Sequence, residues 1–317
     1  MKKLKKNIFT QEKLIFRDKK TLASESIQHS LKIAKYVQDR GYTKYHVIPT
    51  CAKKYRIHSC DAFTHPFLEI EVGEQLPYKF EDYVPRSCNA FCITGFDDNG
   101  ENEKLIYETV QEENDRHRSK ITVLVDPESF PLLLVKPVII DLIQDLPARL
   151  DKSLTKKIPV IVFCDNFSVI CACKKDETNY SYLADWNGMF GHDASILIDG
   201  EKREFGWEAK ELKYNLHESG VFDMVSLMSK ELEDITFQHR PALGKDPETK
   251  LCSLMTNLIE EHFGVIREAT GSPVEEVAFW LLLTNDESKN SRFKERLVES
   301  FKPLGIVCHL LKLKVPQ

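Results

Sequence analysis

The sequence predicts a mixed α+β / α/β chain: a small antiparallel β domain followed by an α/β region. Three observations predict it. Between Tyr45 and Asp126, short apolar runs recur, separated by Gly, Pro and Asn-Gly turn signals. The run Pro159 to Cys173, PVIVFCDNFSVICAC, reads as strand, short polar turn and strand. Beyond it, strand signals alternate with helical ones to the end of the chain.

Composition bounds the answer. A chain of 317 residues can hold two ordinary domains. Its 42% hydrophobic and 29% charged residues are those of a globular protein, and a net charge of −5 gives no general reason to expect nucleic acid. No run of about 18 apolar residues occurs, so no membrane partner is expected. The start, MKKLKKNIF, is basic but lacks a secretory h-region, since Gln11, Glu12, Lys13 and Arg17 interrupt it. Nine cysteines without a signal peptide imply free thiols in a reducing, cytoplasmic setting. Cys88/Cys92 and Cys171/Cys173 fall in strand-like runs without the C-x₂-C spacing of a zinc site, so they read as core thiols and no metal site is expected.

Each element has a local reason. Residues 1–44 form a lysine-rich lead-in and one helix, Ser24 to Arg40, with Ile27, Leu31, Ile33, Ala34 and Val37 at helical spacing and Gly41 as its C-cap. Residues 45–150 form the β-rich domain, with strands in HVI (46–48), FLEIEV (67–72), NAFCITGF (89–96), KLIYETV (104–110) and KITVLV (120–125). Asn99-Gly100 reads as a hairpin tip. Phe130 to Leu146 reads as extended at its prolines and as a short helix over Val138 to Leu146. Residues 157–317 form the α/β region, with strands at 159–164, 168–174, 180–184, 194–199 and 277–284. Helices are expected at 206–217, 222–234, 247–263 and 288–303; that at 247–263 carries Leu251, Leu254, Met255, Leu258, Ile259 and His262 on one stripe.

A series of landmarks carries a resemblance. The strand pair 159–173, with Ala172 in its second strand, is followed by Trp186-Asn187-Gly188 and by Ala194-Ser195-Ile196-Leu197-Ile198. Then come Phe205-Gly206-Trp207-Glu208-Ala209, a helix with Tyr214, the stretch Phe222 to Lys230, and Phe279-Trp280-Leu281-Leu282-Leu283-Thr284. In order and spacing, these 150 or so residues resemble the heat-shock 70 kDa protein 12 branch of the chaperone ATPases. The first part resembles that branch's β-sandwich substrate domain, through His58-Ser59-Cys60-Asp61-Ala62-Phe63, Gly73-Glu74, Tyr83-Val84-Pro85, Phe91 to Phe96 and Ile121 to Val125. The resemblance implies an actin-like (ribonuclease-H-like) ATPase first lobe, with the domain order inverted. It implies ATP and Mg²⁺ as cofactors if the activity is retained, and protein clients or a partner chain as partners.

The turn of the strand pair is where such a lobe would grip phosphate. Small residues serve there because backbone N–H groups must approach the anion closely. Here the turn is Asp165-Asn166-Phe167, without glycine. Asp165, Asn166 and Ser168 are the residues left for a degenerate phosphate loop, and Phe167 would obstruct a phosphate. Without a ligand, Asp165-Asn166 is an ordinary turn pair. Lys230 is the nearest candidate for the lysine that the resemblance implies beside the attacking water. A second, glycine-rich phosphate loop, a Walker loop and a dinucleotide fingerprint are absent from the sequence. The expected function is a degenerate pseudo-ATPase acting as a protein-interaction module. The first alternative is a functional ATPase completed by a partner chain.

The second alternative is a cysteine hydrolase or acyltransferase, which needs a thiolate, a base and an orienting acid. His58/Cys60 and His192-Asp193 are the sets to weigh, against a reading as polar loop residues. Arg116-His117-Arg118-Ser119-Lys120 reads as a solvated turn, because aromatic residues do not interleave with it. Trp186, Trp207 and Trp280 read as packing residues, with peptide binding as the rival role for Trp186.

Overall fold

The computed structural model describes residues 19–39, 49–59, 66–97, 102–111, 115–199, 202–206, 209, 220–235, 246–282 and 286–312. Strand HVI, the Asn99-Gly100 tip, Cys60 to Phe63, Trp207, Tyr214 and nearly all of the helix expected at 206–217 lie outside them. The described structure is mixed α+β, with antiparallel sheets and one mixed sheet. It divides into two compact units. Unit 1 comprises residues 1–82, 89–111 and 121–135; unit 2 comprises 83–88, 112–120 and 136–317. Residues 83–88, 112–120 and 136–150, which composition groups with the β-rich region, therefore cluster with unit 2.

Unit 1 contains helix α1 (Lys19–Gln38) and strands β1 (Tyr55–Ser59), β2 (Leu68–Ile70), β4 (Ala90–Phe96) and β5 (Glu103–Val110), the number β3 going to Tyr78–Pro85. The four strands form an antiparallel sheet in the order β2-β1-β4-β5. A bulge between Ile93 and Thr94 shifts the β4/β5 register. One face carries an ionic lattice in which Lys54 holds Glu69 and Glu71, while Arg56 holds Glu69 and Glu103. A further sheet has the order β3-β6-β7, with β6 at Arg118–Val125 and β7 at Pro131–Val138. In β6 the alternation is strict: Ser119, Ile121, Val123 and Val125 are buried and the residues between them are not.

Unit 2 is built on β8 (Val160–Cys164) and β9 (Phe167–Ala172), every residue of which is buried. Such runs arise where a sheet is covered on both faces. The sheet order is β10-β9-β8-β15-β16, with β10 at Ser181–Tyr182, β15 at Glu276–Leu282 and β16 at Val307–Leu310; β11 (His192–Asp193) also pairs with β9. β8, β9 and β10 run antiparallel in turn, while β15 lies parallel to β8 and β16 parallel to β15.

On one face, Ile161, Phe163, Ile170, Ala172, Val277 and Phe279 pack against helices α5 (Pro247–Thr270) and α6 (Glu287–Phe301). On the other, Val160, Val162, Phe167, Val169 and Trp280 pack with Ile143 of helix α2 (Asp141–Gln144) and with Leu146 and Leu150 of α3 (Leu146–Ser153). The proline-bearing stretch before α2 is therefore strand β7, followed by two short helices.

α5 starts where the Asp246 carboxylate accepts the Thr249 N–H, with Pro247 just inside, and ends at Gly271 with φ 68°. It runs one to two turns past the expected end because Ile266 continues the buried stripe. The helix expected at 222–234 is shorter, α4 (Met224–Ser229). It stops because guanidinium groups on α6 take its last carbonyls: Arg296 binds those of Leu227, Met228 and Lys230, and Arg292 that of Ser229. Between β10 and α4, a small sheet has the order β13-β12-β14, formed by Ile196–Asp199 (β12), Lys202–Phe205 (β13) and Gly220–Val221 (β14).

Candidate functional site

The β8–β9 turn places Asp165 and Asn166 at the rim of a cavity of about 270 Å³ in unit 2. Lys230 lines the same cavity, with Lys289, Ser226 and Ser229. The fold thus gathers three of the four sequence-selected residues, although 64 positions separate Lys230 from Asn166. The fourth, Ser168, is inside the core and outside that wall.

The groups in the turn are already engaged. Asp165 adopts the left-handed region, with φ 47°, which Asp tolerates better than most residues. Its carboxylate receives two parallel bonds from the Arg118 guanidinium, at 2.7 and 2.8 Å. That fork is the strong form of a charge-assisted pair, and it raises the Arg118 pKa further above its ordinary value. Asn166 Nδ2 donates to the Phe222 carbonyl at 2.8 Å, its Oδ1 accepts the Val225 N–H, and its own carbonyl accepts the Ala194 N–H. The carboxylate that could hold Mg²⁺-bound water is matched by a guanidinium, and the amide is a cross-link between chain segments.

Phe167 does not obstruct the turn. Its ring is buried in the core against α2 and α3, stacked on His117 at 5.4 Å with the Arg86 guanidinium 4.4 Å from its centre. The reason is strand alternation: a two-residue turn makes Phe167 the first residue of β9 and turns it to the face that carries Val169 and Cys171.

Ser168, on the opposite face, bonds His262 Nε2 at 2.7 Å and accepts the Trp186 indole N–H. The His262 Nδ1–H donates to the Leu258 carbonyl, so Nε2 accepts from the hydroxyl. Burial pushes the His262 pKa down to about 4. A hydroxyl beside a neutral imidazole is also the layout of an activated nucleophile. With both residues at 0% exposure, no substrate reaches it, and the pair serves packing.

The cluster Arg116 to Lys120 is not a solvated turn. Arg116, His117 and Ser119 are buried. His117 Nδ1 accepts the Ile140 N–H at 2.9 Å, its Nε2–H donates to the Met189 carbonyl at 2.8 Å, and burial lowers its pKa. A signal was available, since the period-two pattern of Ile121, Val123 and Val125 extends back through Ser119 to His117. Arg86 was not foreseeable from local pattern: its fork binds Asp193 at 2.7 Å and the Phe190 and Gly191 carbonyls. Gly191, at φ 61°, lets this loop approach β9, where an added Cβ would lie 1.9 Å from the Ser168 carbonyl oxygen.

For the thiol alternative, Cys60 lies outside the described residues, and the described cysteines with a shifted pKa are all moved away from thiolate. Burial raises the pKa values of Cys51, Cys164, Cys171, Cys173, Cys252 and Cys308, which disfavours the reactive thiolate. His58 bonds Glu103 and faces Cys92 across β1/β4, but Cys92 is fully buried. Asp193 is committed to Arg86, and His192 packs 4.9 Å from the Trp186 ring. Cys88 lies in the loop before β4 rather than in a strand. Among the described residues, no group of three His, Cys, Asp or Glu side chains could hold a metal ion. Trp186 and Trp280 are core residues.

No family model and no curated protein matches this chain.

Proposed function

We propose that the chain is a divergent relative of the heat-shock 70 kDa protein 12 branch, in which an actin-like lobe survives as scaffold and works as a cytoplasmic protein-interaction module rather than an ATPase. The sheet of unit 2 supports the lobe: three antiparallel strands continue into two parallel ones through helical crossovers, as in a ribonuclease-H-like fold. Fold alone does not carry function. The observation that carries the proposal is the Arg118 fork on Asp165, which replaces the counter-charge a bound Mg²⁺ would supply. A cavity of about 270 Å³ is also smaller than the roughly 300–1,000 Å³ of ordinary ligand pockets. Calorimetry with ATP and Mg²⁺ tests the proposal. The expected result is no micromolar binding; micromolar binding with measurable hydrolysis overturns it.

One observation favours the rival reading of an ATPase completed by a partner chain: Asp165, Asn166 and Lys230 share one cavity. That reading requires a defined oligomer in which nucleotide binds. Sedimentation velocity showing a monomer with and without ATP removes it.

A further inference from the structure

The cavity at the β8–β9 turn is too tight for a nucleotide, yet part of its wall is chemically unspent. Its carboxylates are matched: Asp165 sits in the Arg118 fork, and Asp223, on the same wall, is engaged as well. Its two ammonium groups differ. Lys289 lies 3.6 Å from Asp286, the carboxylate that caps the start of α6. Lys230, half-buried, forms no ion pair among the described residues. Ser87 and Ser226 line the same cavity, and within the described residues neither hydroxyl is hydrogen-bonded to the protein.

An ammonium without a counter-charge, beside two free hydroxyl donors, is a receptor for an oxyanion: the ammonium supplies charge and the hydroxyls donate to the oxygens. Charge selects which oxyanion. One unmatched cation balances a carboxylate, whereas a phosphate monoester brings about −1.5 to −2 at pH 7. Size points the same way, since about 270 Å³ lies below the roughly 300–1,000 Å³ of pockets that enclose whole small molecules. A free carboxylate would have only these few groups to offset its lost freedom of motion, while a side chain arrives with further contacts made by its own chain. We infer that this cavity receives the carboxylate of an Asp or Glu side chain from an acidic segment of a protein partner. The inference rests on the reading of the lobe as an interaction module and gives that module's partner a chemistry.

Fluorescence anisotropy of the full chain with labelled octaglutamate tests the inference, with labelled octaglutamine as the neutral control. Octaglutamate alone is expected to bind, saturably and less tightly as salt is raised. Lys230→Gln should raise Kd at least about tenfold, through the loss of a charge-assisted contact. Lys79→Gln, the same charge change in unit 1, should leave Kd unaltered. Because the Lys230 ammonium pairs with no described residue, Lys230→Gln should keep the parent's thermal unfolding midpoint. Three results overturn the inference: no binding of octaglutamate at low salt, equal binding of octaglutamine, or Lys230→Gln behaving like Lys79→Gln. Binding of inorganic phosphate without binding of octaglutamate overturns it in favour of a free-anion site. Each of these outcomes leaves the interaction-module reading standing; only ATP binding with hydrolysis removes that reading.

Discussion

At the scale of single residues, unit 2 is organised by polar groups in its interior. His262 gives this a measurable consequence. The folded state holds it neutral, with a pKa of about 4 against an ordinary 6.5. Between those values the unfolded chain binds a proton that the folded chain refuses, so stability is full above about pH 6.5 and falls as pH drops through the window. The loss attributable to His262 is about 3 kcal/mol, from a shift of that size. His117 acts in the same direction, its pKa also being lowered by burial. Carboxylates such as Glu69, Glu103 and Asp151, whose pKa values are lowered from 4.5 or 3.8, lose their stabilising pairs only at lower pH. Urea unfolding between pH 8 and pH 5 therefore reports mainly on the imidazoles. His262→Gln, which cannot take up a proton, should show a flatter pH dependence than the parent. An unchanged slope would assign the effect elsewhere.

At the scale of elements, Arg296 is the side chain that ties α4, α5 and α6 together. Arg296, 6% exposed, reaches from α6 to three carbonyls at the end of α4 and forks onto Glu248 of α5 at 2.8 Å through both nitrogens. Arg296→Ala removes this donor from all three carbonyls, of which Leu227 keeps the Lys230 N–H, and should cost about 2–3 kcal/mol, short of a fully buried pair because Glu248 is half exposed. Urea unfolding should show a lower midpoint with unchanged m. Arg296→Lys should restore only part of the loss, since an ammonium cannot make the planar fork. The elements also show what the sequence makes legible. β8, β9, β15, α5 and α6 were readable because each buries a continuous run or a regular stripe, which is a local property. β1 and β3 were not, because their apolar residues are few and their partners come from elsewhere in the chain. The candidate site was legible in part. Asp165 and Asn166 stood out as a polar break in an apolar run, while Arg118, which neutralises Asp165 from 47 positions away, carries no signal near the turn.

At the scale of the molecule, the same long-range partners decide where the protein can be cut. Composition places a boundary at 150 to 157, but the second unit draws on residues before it. Arg86 holds Asp193 across 107 positions, His117 fixes the Met189 carbonyl and stacks on Phe167, and Arg118 holds Asp165. Ile143, Leu146 and Leu150 fill one face of the sheet. A fragment of residues 157–317 retains the strands and loses all of these. Asp193 loses a buried cation, and the apolar face of β8 and β9 loses its helical cover. Removing one partner of a buried pair costs about 3–5 kcal/mol, and each lost Leu or Ile about 2–5 kcal/mol. Together these approach the roughly 5–15 kcal/mol that holds an ordinary domain together. The fragment should therefore lack a cooperative thermal transition and bind a hydrophobic dye, while the full chain unfolds cooperatively and does not. A fragment that melts as sharply as the full chain would show that the sheet of unit 2 needs neither the arginines nor the helices supplied from earlier in the sequence.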